Sequence, residues 1–438
     1  MKILHIIRSV NPEGGGPIEG VLQLARIYKA KGHSIEILSL DTPDAEAVKN
    51  CALTVHAMGP GKGSYGYSSK FKPWLDAHTQ NYDIFVINGI WQYHGFAAHS
   101  VLKSKKLPYY IFTHGMMDPW FKHQYPLKHL KKWLYWPWGE YPVLRDAQKV
   151  LFTCEDEKVL ARQSFWLYRC NEHVTNYGTA GHVGNAEEQR RLFLDRYPHL
   201  QDKPFLLFLS RIHPKKGVDL LLEGFAKHHK DQPDLQLVIA GPDQVGMQPE
   251  LQQLAENLGI NDKITWTGML KGDLKWGAYL NANAFILPSH QENFGIVVAE
   301  ALSCSLPVLI SNKVNIWHEI IEDKAGLVVE DTTNGCVSLL YQWQQMDNNR
   351  KAEIRSNALN CFINRFEITQ AATSLLTLFD YQFKLEQEIL ANTVIPAAIP
   401  VSSAMDGNLP ITVRHDLGSM PNHKLHPRDW IPSSLPAE

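Results

Sequence analysis

Ten short apolar runs, most of them continuous rather than alternating, constrain this chain more than any other feature. "KILHII" (2–7), "SIEILSL", "DIFVIN", "PYYIFT" and "KVLFTC" lie in the first 154 residues. "FLLFLS" (205–210), "LQLVIAG", "KITWTG", "AFILPS" and "PVLIS" follow in the second half. A strand with one wet face alternates, whereas a run that stays apolar is buried on both faces, as parallel strands covered by helices are. Helical patterns separate the runs: residues 17–31 after the first, "VDLLLEGFAKHHK" after the sixth, "ELQQLAENLG" after the seventh. The expected fold class is α/β, with two doubly wound domains.

The two series meet at "NYGTAGHVGNAEEQ", which is Gly-rich and polar. This predicts a first domain over 1–178, a linker over 179–203 and a second domain over 204–365, followed by a helical segment, 366–390. From Ala391 onward the chain has seven prolines and little periodicity, the composition of a disordered tail. Composition narrows the function. A net charge of −2 gives no field for nucleic acid. The six cysteines include no CxxC and no Cys/His ligand spacing, against a disulfide framework or structural zinc and in keeping with a reducing compartment. "MKILHIIRSV" is too short an apolar stretch for a signal peptide, and no run reaches the roughly 18 apolar residues of a membrane span. The expected location is cytoplasmic.

Ligands of open α/β sheets bind beyond the carboxyl ends of the strands, and two such domains leave a cleft between them. Four post-strand loops carry candidate chemistry. "NPEGGGPIEG" follows the first strand; Gly15 and Gly16 let backbone approach a ligand at a helix start. It is not the dinucleotide fingerprint, since Glu19 stands where the third glycine belongs. "FTHGMMDPW" places His114 at a strand end, where an imidazole can bond a hydroxyl or a developing charge; with 20 histidines in the chain, a structural His is the competing reading. "SRIHPKKG" sets Arg211 and Lys216 five apart in a loop leading into a helix, a diphosphate clamp or else a solvated basic loop. His213 and Lys215 share that loop, and chemistry alone does not separate their roles. "SHQENFGIVVAEAL" holds Glu292 before a helix start near Asn293–Gly295 and Glu300 nearly two turns in. Glu300 in an apolar helix needs a partner, and ribose hydroxyls would serve. The amides of Phe294 and Gly295 are free donors at that helix start.

Glu292-x7-Glu300 with "NFG" inside it, the Arg211-x4-Lys216 loop, "GGGP" and "THGMMDPW" occur in one order, and together they resemble the retaining glycosyltransferases of family GT4 over roughly residues 1–385. That resemblance implies a GT-B fold, two Rossmann-like doubly wound domains facing across an inter-domain cleft, the first on the acceptor side and the second binding a nucleotide-sugar. It implies that Arg211 and Lys216 neutralise the donor diphosphate, Glu292 contacts the donor sugar with amides near Phe294 and Gly295, and Glu300 binds the ribose. His114 would lie over the sugar, Gly15 and Gly16 near the phosphates or acceptor, and Met269 and Leu270 near the nucleobase. The implied reaction moves a hexose from a UDP- or GDP-sugar, with retention, to a glycan or lipid-linked saccharide in bacterial exopolysaccharide or cell-surface assembly. No metal or other cofactor is expected, because cationic side chains and helix N-termini supply the positive charge. The sequence departs from the pattern at "TNYGTAG", where many relatives have Asn-Gly-Val-Asp, and at "NKVNIWHEI", where many have a Gly-Gly turn. A binding protein that has lost the reaction, or an NAD-dependent oxidoreductase using Asp41, are the rival readings.

"WFKHQYPLKHLKKWLYWPWGEY" (120–141) sets Lys122, Lys128, Lys131 and Lys132 among Trp120, Trp133, Tyr135, Trp136 and Trp138. Basic and aromatic residues together suit the inner face of the plasma membrane, so peripheral contact through 120–141 is expected, against a helix with one buried aromatic face.

Overall fold

All ten apolar runs form parallel strands, and three further strands complete two sheets in the computed structural model, which describes residues 1–12, 16–175 and 177–393, with side chains to residue 381. The first sheet contains β1 (Lys2–Ile7), β2 (Ser34–Ser39), β3 (Thr54–Ala57), β4 (Ile84–Asn88), β5 (Tyr110–Phe112), β6 (Lys149–Phe152) and β7 (Glu172–Val174), in the order β3-β2-β1-β4-β5-β6-β7. The second contains β8 (Phe205–Leu209), β9 (Gln236–Ala240), β10 (Ile264–Gly268), β11 (Ala284–Leu287), β12 (Val308–Ser311) and β13 (Gly326–Val329), in the order β10-β9-β8-β11-β12-β13. The central strands are buried but for Lys2 and Leu209 at the ends of β1 and β8: Leu4, Ile6, Val86, Ile87, Leu206, Leu207, Phe285 and Ile286 have no exposed surface.

Strand order reverses between β1 and β4 and again between β8 and β11. At such switch points the outgoing loops diverge and leave a crevice. The segments leaving β1, β4, β8 and β11 carry "NPEGGGP", "GIW", "SRIHPKKG" and "PSHQENFG" in the sequence. Both halves belong to one compact unit, residues 1–387. The linker joins that unit where Thr179 N–H donates to the Phe366 carbonyl at 3.0 Å and Ile368 N–H donates to the Thr179 carbonyl at 3.1 Å. The helix Ile368–Thr393 lays Phe379 against Tyr110 of β5, ring centroids 4.7 Å apart. It runs three residues past the boundary expected from sequence; the rest of the Pro-rich tail, 394–438, lies outside the described residues.

Candidate active site

The cationic side of the site is built by the loop after β8. Gly217, at φ 65°, turns that loop into the helix Val218–His229. A Cβ there would meet the Pro288 carbonyl at 2.2 Å, so the loop lies directly against the segment leaving β11. His290 N–H donates to the Lys215 carbonyl at 2.8 Å. Lys216 is buried, and its Nζ contacts a carboxylate oxygen of Glu292. The phosphate-clamp candidate and the sugar-contact candidate therefore hold one another. Burial, Lys215 and Arg211 push the Lys216 ammonium well below its usual range. Lys215 is brought down to about 8, by burial first and Arg211 second, with Asp118 pulling upward. Burial lowers Arg211 as well. Three cations disfavoured by desolvation, the two lysines also by their cationic neighbours, form a site whose strain a dianion would relieve.

Glu292 is anchored through its backbone. Its N–H donates to the Lys313 carbonyl at 2.9 Å, and its carbonyl accepts from Asn315 N–H at 3.0 Å. The "NKVN" turn that departs from the family pattern is thus what fixes Glu292. The helix Ile296–Ser303 starts one residue beyond the predicted window, with Gly295 as its left-handed cap at φ 73°. Glu300 is 7% exposed, and both its oxygens are engaged: Oε1 accepts from Lys275 Nζ at 2.7 Å, Oε2 from Tyr279 OH at 3.1 Å. Its burial is met by the chain's own groups. Met269 is exposed and Leu270 buried beside it, just after β10. Phe294 is buried between Tyr177 and Phe366, with ring centroids at 5.1 and 5.5 Å.

The neutral side of the site comes from the first sheet. His114, one residue past "FT", sits at φ 49°, left-handed backbone that a non-glycine residue adopts at a cost. Glu157 holds it there. Its Oε1 accepts from Thr113 Oγ1 and Gly115 N–H, each at 2.6 Å, and its Oε2 from Thr153 N–H and Oγ1, each at 2.7 Å. Burial brings His114 down to about 4, with Glu157 pulling upward. The two sides meet at Gly115, where a Cβ would stand 2.6 Å from Asn293. Asn293 Nδ2 donates to Thr153 Oγ1 at 3.0 Å, and Gln291 Nε2 donates to Asp118 Oδ2 at 3.2 Å. At the other end of the seam, a Cβ on Gly16 would lie 3.4 Å from Ile296. The starts of the helices Gly16–Ala30 and Ile296–Ser303 therefore abut across the cleft, a setting that favours anions.

His114, Arg211, Lys216, Glu292, Phe294, Gly295 and Gly16 thus lie on the loops lining one seam, while Met269, Leu270 and Glu300 belong to the second half alone. Gly15 lies outside the described residues. Sequence reasoning missed Asn88, Glu157, Gln291, Asn293 and Tyr177. Glu157 was within reach, as an acid in the first turn of a helix just after a strand. Tyr177 sits in the divergent "NYG" linker, its hydroxyl where a Cβ of Gly20 would be, and no local pattern signals that. Asp41, the acid of the oxidoreductase reading, is bound to Ser9 Oγ at 2.5 Å and Val10 N–H at 2.8 Å.

Family models match each half of the chain. A glycosyl transferase 4-like domain matches residues 15–175, and glycosyl transferases group 1 matches residues 190–358. The alpha-D-kanosaminyltransferase of Streptomyces kanamyceticus is 30% identical over 194 residues, 44% of this chain and 50% of that protein. The D-inositol 3-phosphate glycosyltransferase of Geodermatophilus obscurus is 34% identical over 205 residues, 44% of each. The chain thus spans half or less of the length of these curated relatives. In the same fold, Anabaena HepE in complex with UDP and glucose superposes with a TM-score of 0.70 at 16% identity, covering 87% of this chain and all of that one. Sucrose-phosphate synthase from Thermosynechococcus elongatus gives 0.70 at 18% identity over 88% of this chain. The two-sheet architecture is the GT-B fold, and the chain belongs to the group 1 glycosyltransferases.

Proposed function

We propose that this chain transfers a hexose from a UDP- or GDP-sugar, with retention of configuration, to a saccharide or lipid-linked saccharide in surface-polysaccharide assembly. The observation that carries the reading is the buried Lys216–Glu292 contact beside Arg211 and Lys215, set across a seam from His114. A donor diphosphate would take Lys216 from Glu292 and free that carboxylate for sugar hydroxyls. The relative complexed with UDP and glucose supports a nucleotide-sugar donor. Arg211, Lys215 and Lys216 neutralise the leaving diphosphate, whose oxygen accepts the acceptor's proton on the same face. With that charge supplied by side chains, we expect transfer to be indifferent to EDTA; loss of activity on chelation, restored by Mg²⁺, would overturn this part.

The decisive test is a thermal-shift screen with UDP, GDP, ADP and their sugars. A ligand at 100 times its Kd stabilises by about 2.7 kcal/mol. Binding followed by slow release of nucleoside diphosphate, abolished in Lys216→Ala, supports the enzyme. Binding with wild-type turnover at background for every donor supports a sugar-nucleotide-binding protein instead.

Membrane contact belongs to the same proposal. Among the described residues no helix is long and apolar enough to cross a membrane. The helix Pro126–Tyr135, however, leaves Leu127 (78%), Leu130 (55%) and Leu134 (61%) exposed beside Lys128 and Lys131, with Trp133 and Trp138 also exposed. Lys132 does not belong to that face: its Nζ lies over the Trp91 ring, 4.6 Å from the centroid. Flotation with anionic liposomes should fail for Lys128→Glu/Lys131→Glu, and equal binding by this variant would end the idea.

A further inference from the structure

Two buried imidazoles, His5 and His94, and the half-buried His114 converge on one asparagine at the end of β4. Asn88 is 4% exposed. Its Nδ2 lies 3.2 Å from the Val86 carbonyl and 3.2 Å from His5 Nδ1, and its Oδ1 lies 3.2 Å from His114 Nε2. The Asn88 backbone carbonyl lies 3.0 Å from His94 Nε2.

The protons in this network follow from the donor and acceptor inventory. A backbone carbonyl only accepts, so the amide atom facing Val86 must be nitrogen, which fixes the orientation of the side chain. The same nitrogen then donates to His5 Nδ1, which must be unprotonated. Asn88 Oδ1 can only accept, so His114 Nε2 carries hydrogen. That leaves the hydrogen of His5 on Nε2 and the lone pair of His94 on Nδ1, both buried and without a partner among the described residues. Desolvation keeps all three rings neutral, His5 at about 3 and His94 and His114 at about 4. The ionisable groups acting on them are Glu157 on His114, His114 on His5 and Arg8 on His94, and the Tyr177 ring stands edge-on to His114 at 6.3 Å. A neutral His114 protonated at Nε2 has a lone pair at Nδ1, for which there is no partner among the described residues.

We propose that Asn88 is a positioning residue that locks His114 in its Nε2–H tautomer, so that Nδ1 accepts a hydrogen bond from a hydroxyl of the donor sugar. His114 then orients the sugar as an acceptor and transfers no proton. The sugar contact rests on the glycosyltransferase reading; the tautomer does not.

The experiment separates the two. Long-range ¹H–¹⁵N spectra of the ¹⁵N-histidine-labelled full chain, with His114 assigned by its loss in His114→Gln, should show the Nε2–H tautomer from pH 6 to 8. An Nδ1–H tautomer or an imidazolium in that range overturns the lock. In Asn88→Ser the His114 signals should move toward tautomer averaging. The kcat should fall about 10–100-fold, the range expected for losing one well-aligned hydrogen bond, while the Kd for the nucleoside diphosphate stays within about threefold. In Asn88→Asp, whose carboxylate accepts from both rings, His114 should titrate at higher pH. Unchanged tautomer and kcat in a folded Asn88→Ser overturn the positioning role. A correct tautomer in a protein that binds no sugar nucleotide overturns the sugar contact and leaves the lock standing.

Discussion

The two halves of the cleft are built from the same strand–loop–helix unit and carry opposite chemistry. The loops of the second sheet bring together Arg211, Lys215, Lys216 and Glu292, charges held close in a desolvated place. Around the first sheet, β1, the end of β4, the helix Tyr93–Ser104 and the loop after β5 bring together His5, Asn88, His94 and His114, all neutral, beside Glu157, whose two oxygens accept four bonds from the chain. A fixed fold therefore divides the work by what it places after the strands. One half is poised for a diphosphate, and the other presents uncharged acceptors and donors suited to sugar hydroxyls.

The largest effect that would sharpen this contrast is at Lys216. Lys216→Ala should lower kcat/KM by about 10²–10³-fold, the loss expected when one buried group stabilising transition-state charge is removed. It should raise the Kd for nucleoside diphosphate as well. A drop in kcat with the diphosphate Kd untouched would move the charge function elsewhere.

Gly115→Ala probes the seam between the halves rather than either half. A side chain there meets Asn293 at 2.6 Å, on backbone at φ 71°. Misplacing reacting groups by about 1 Å can cost about 10²-fold. We expect kcat to fall by that order while each half still folds and the nucleotide still binds. Nucleotide affinity lost in parallel with kcat would show that the halves are not separable.

Glu292 and Glu300 offer a contrast within the charged half. Glu292→Gln should cost turnover by about tenfold or more, since the group reaches the sugar once Lys216 is taken by phosphate. Glu300→Gln should mainly raise donor KM, by about tenfold or less, because Lys275 and Tyr279 stay in place around an uncharged amide. Equal changes in kcat and KM from both would erase the distinction.

The sequence exposed the centre of each sheet better than its margins. The three strands that apolar runs did not mark, β3, β7 and β13, are all edge strands. None of their residues is fully buried, so the continuous apolar signature of a two-sided strand is weaker there. The charged half of the site was legible for a similar reason: Arg211, Lys216 and Glu292 lie in single loops directly after apolar runs. The neutral half was only partly so. Asn88 ends a strand like many others, and it matters because β1, β4 and the loop after β5 bring His5, His114 and Asn88 together from positions 83 and 26 residues apart. Glu300 shows the converse. Its burial was plain from the apolar helix around it, but a ligand was not needed to account for it, because Lys275 and Tyr279 come from a separate helix.

The smallest expected effect is also the one that addresses charge alone. Lys215 sits at about 8, so it is charged at pH 6.5 and loses its proton as pH rises through 8. A bound diphosphate favours the charged form and lifts that value. Donor affinity should therefore be flat from pH 6 to 7.5 and weaken above 8, by at most tenfold per pH unit for one proton. The neutral half contributes nothing in this window, because His5, His94 and His114 titrate near 3 to 4. Calorimetric titration of the nucleoside diphosphate across pH 6–9.5 measures this directly. Lys215→Arg keeps its charge and should carry the onset to higher pH; an unmoved onset would remove Lys215 from the donor site, and a loss of affinity already between pH 6 and 7 would place a histidine on the charged side of the cleft.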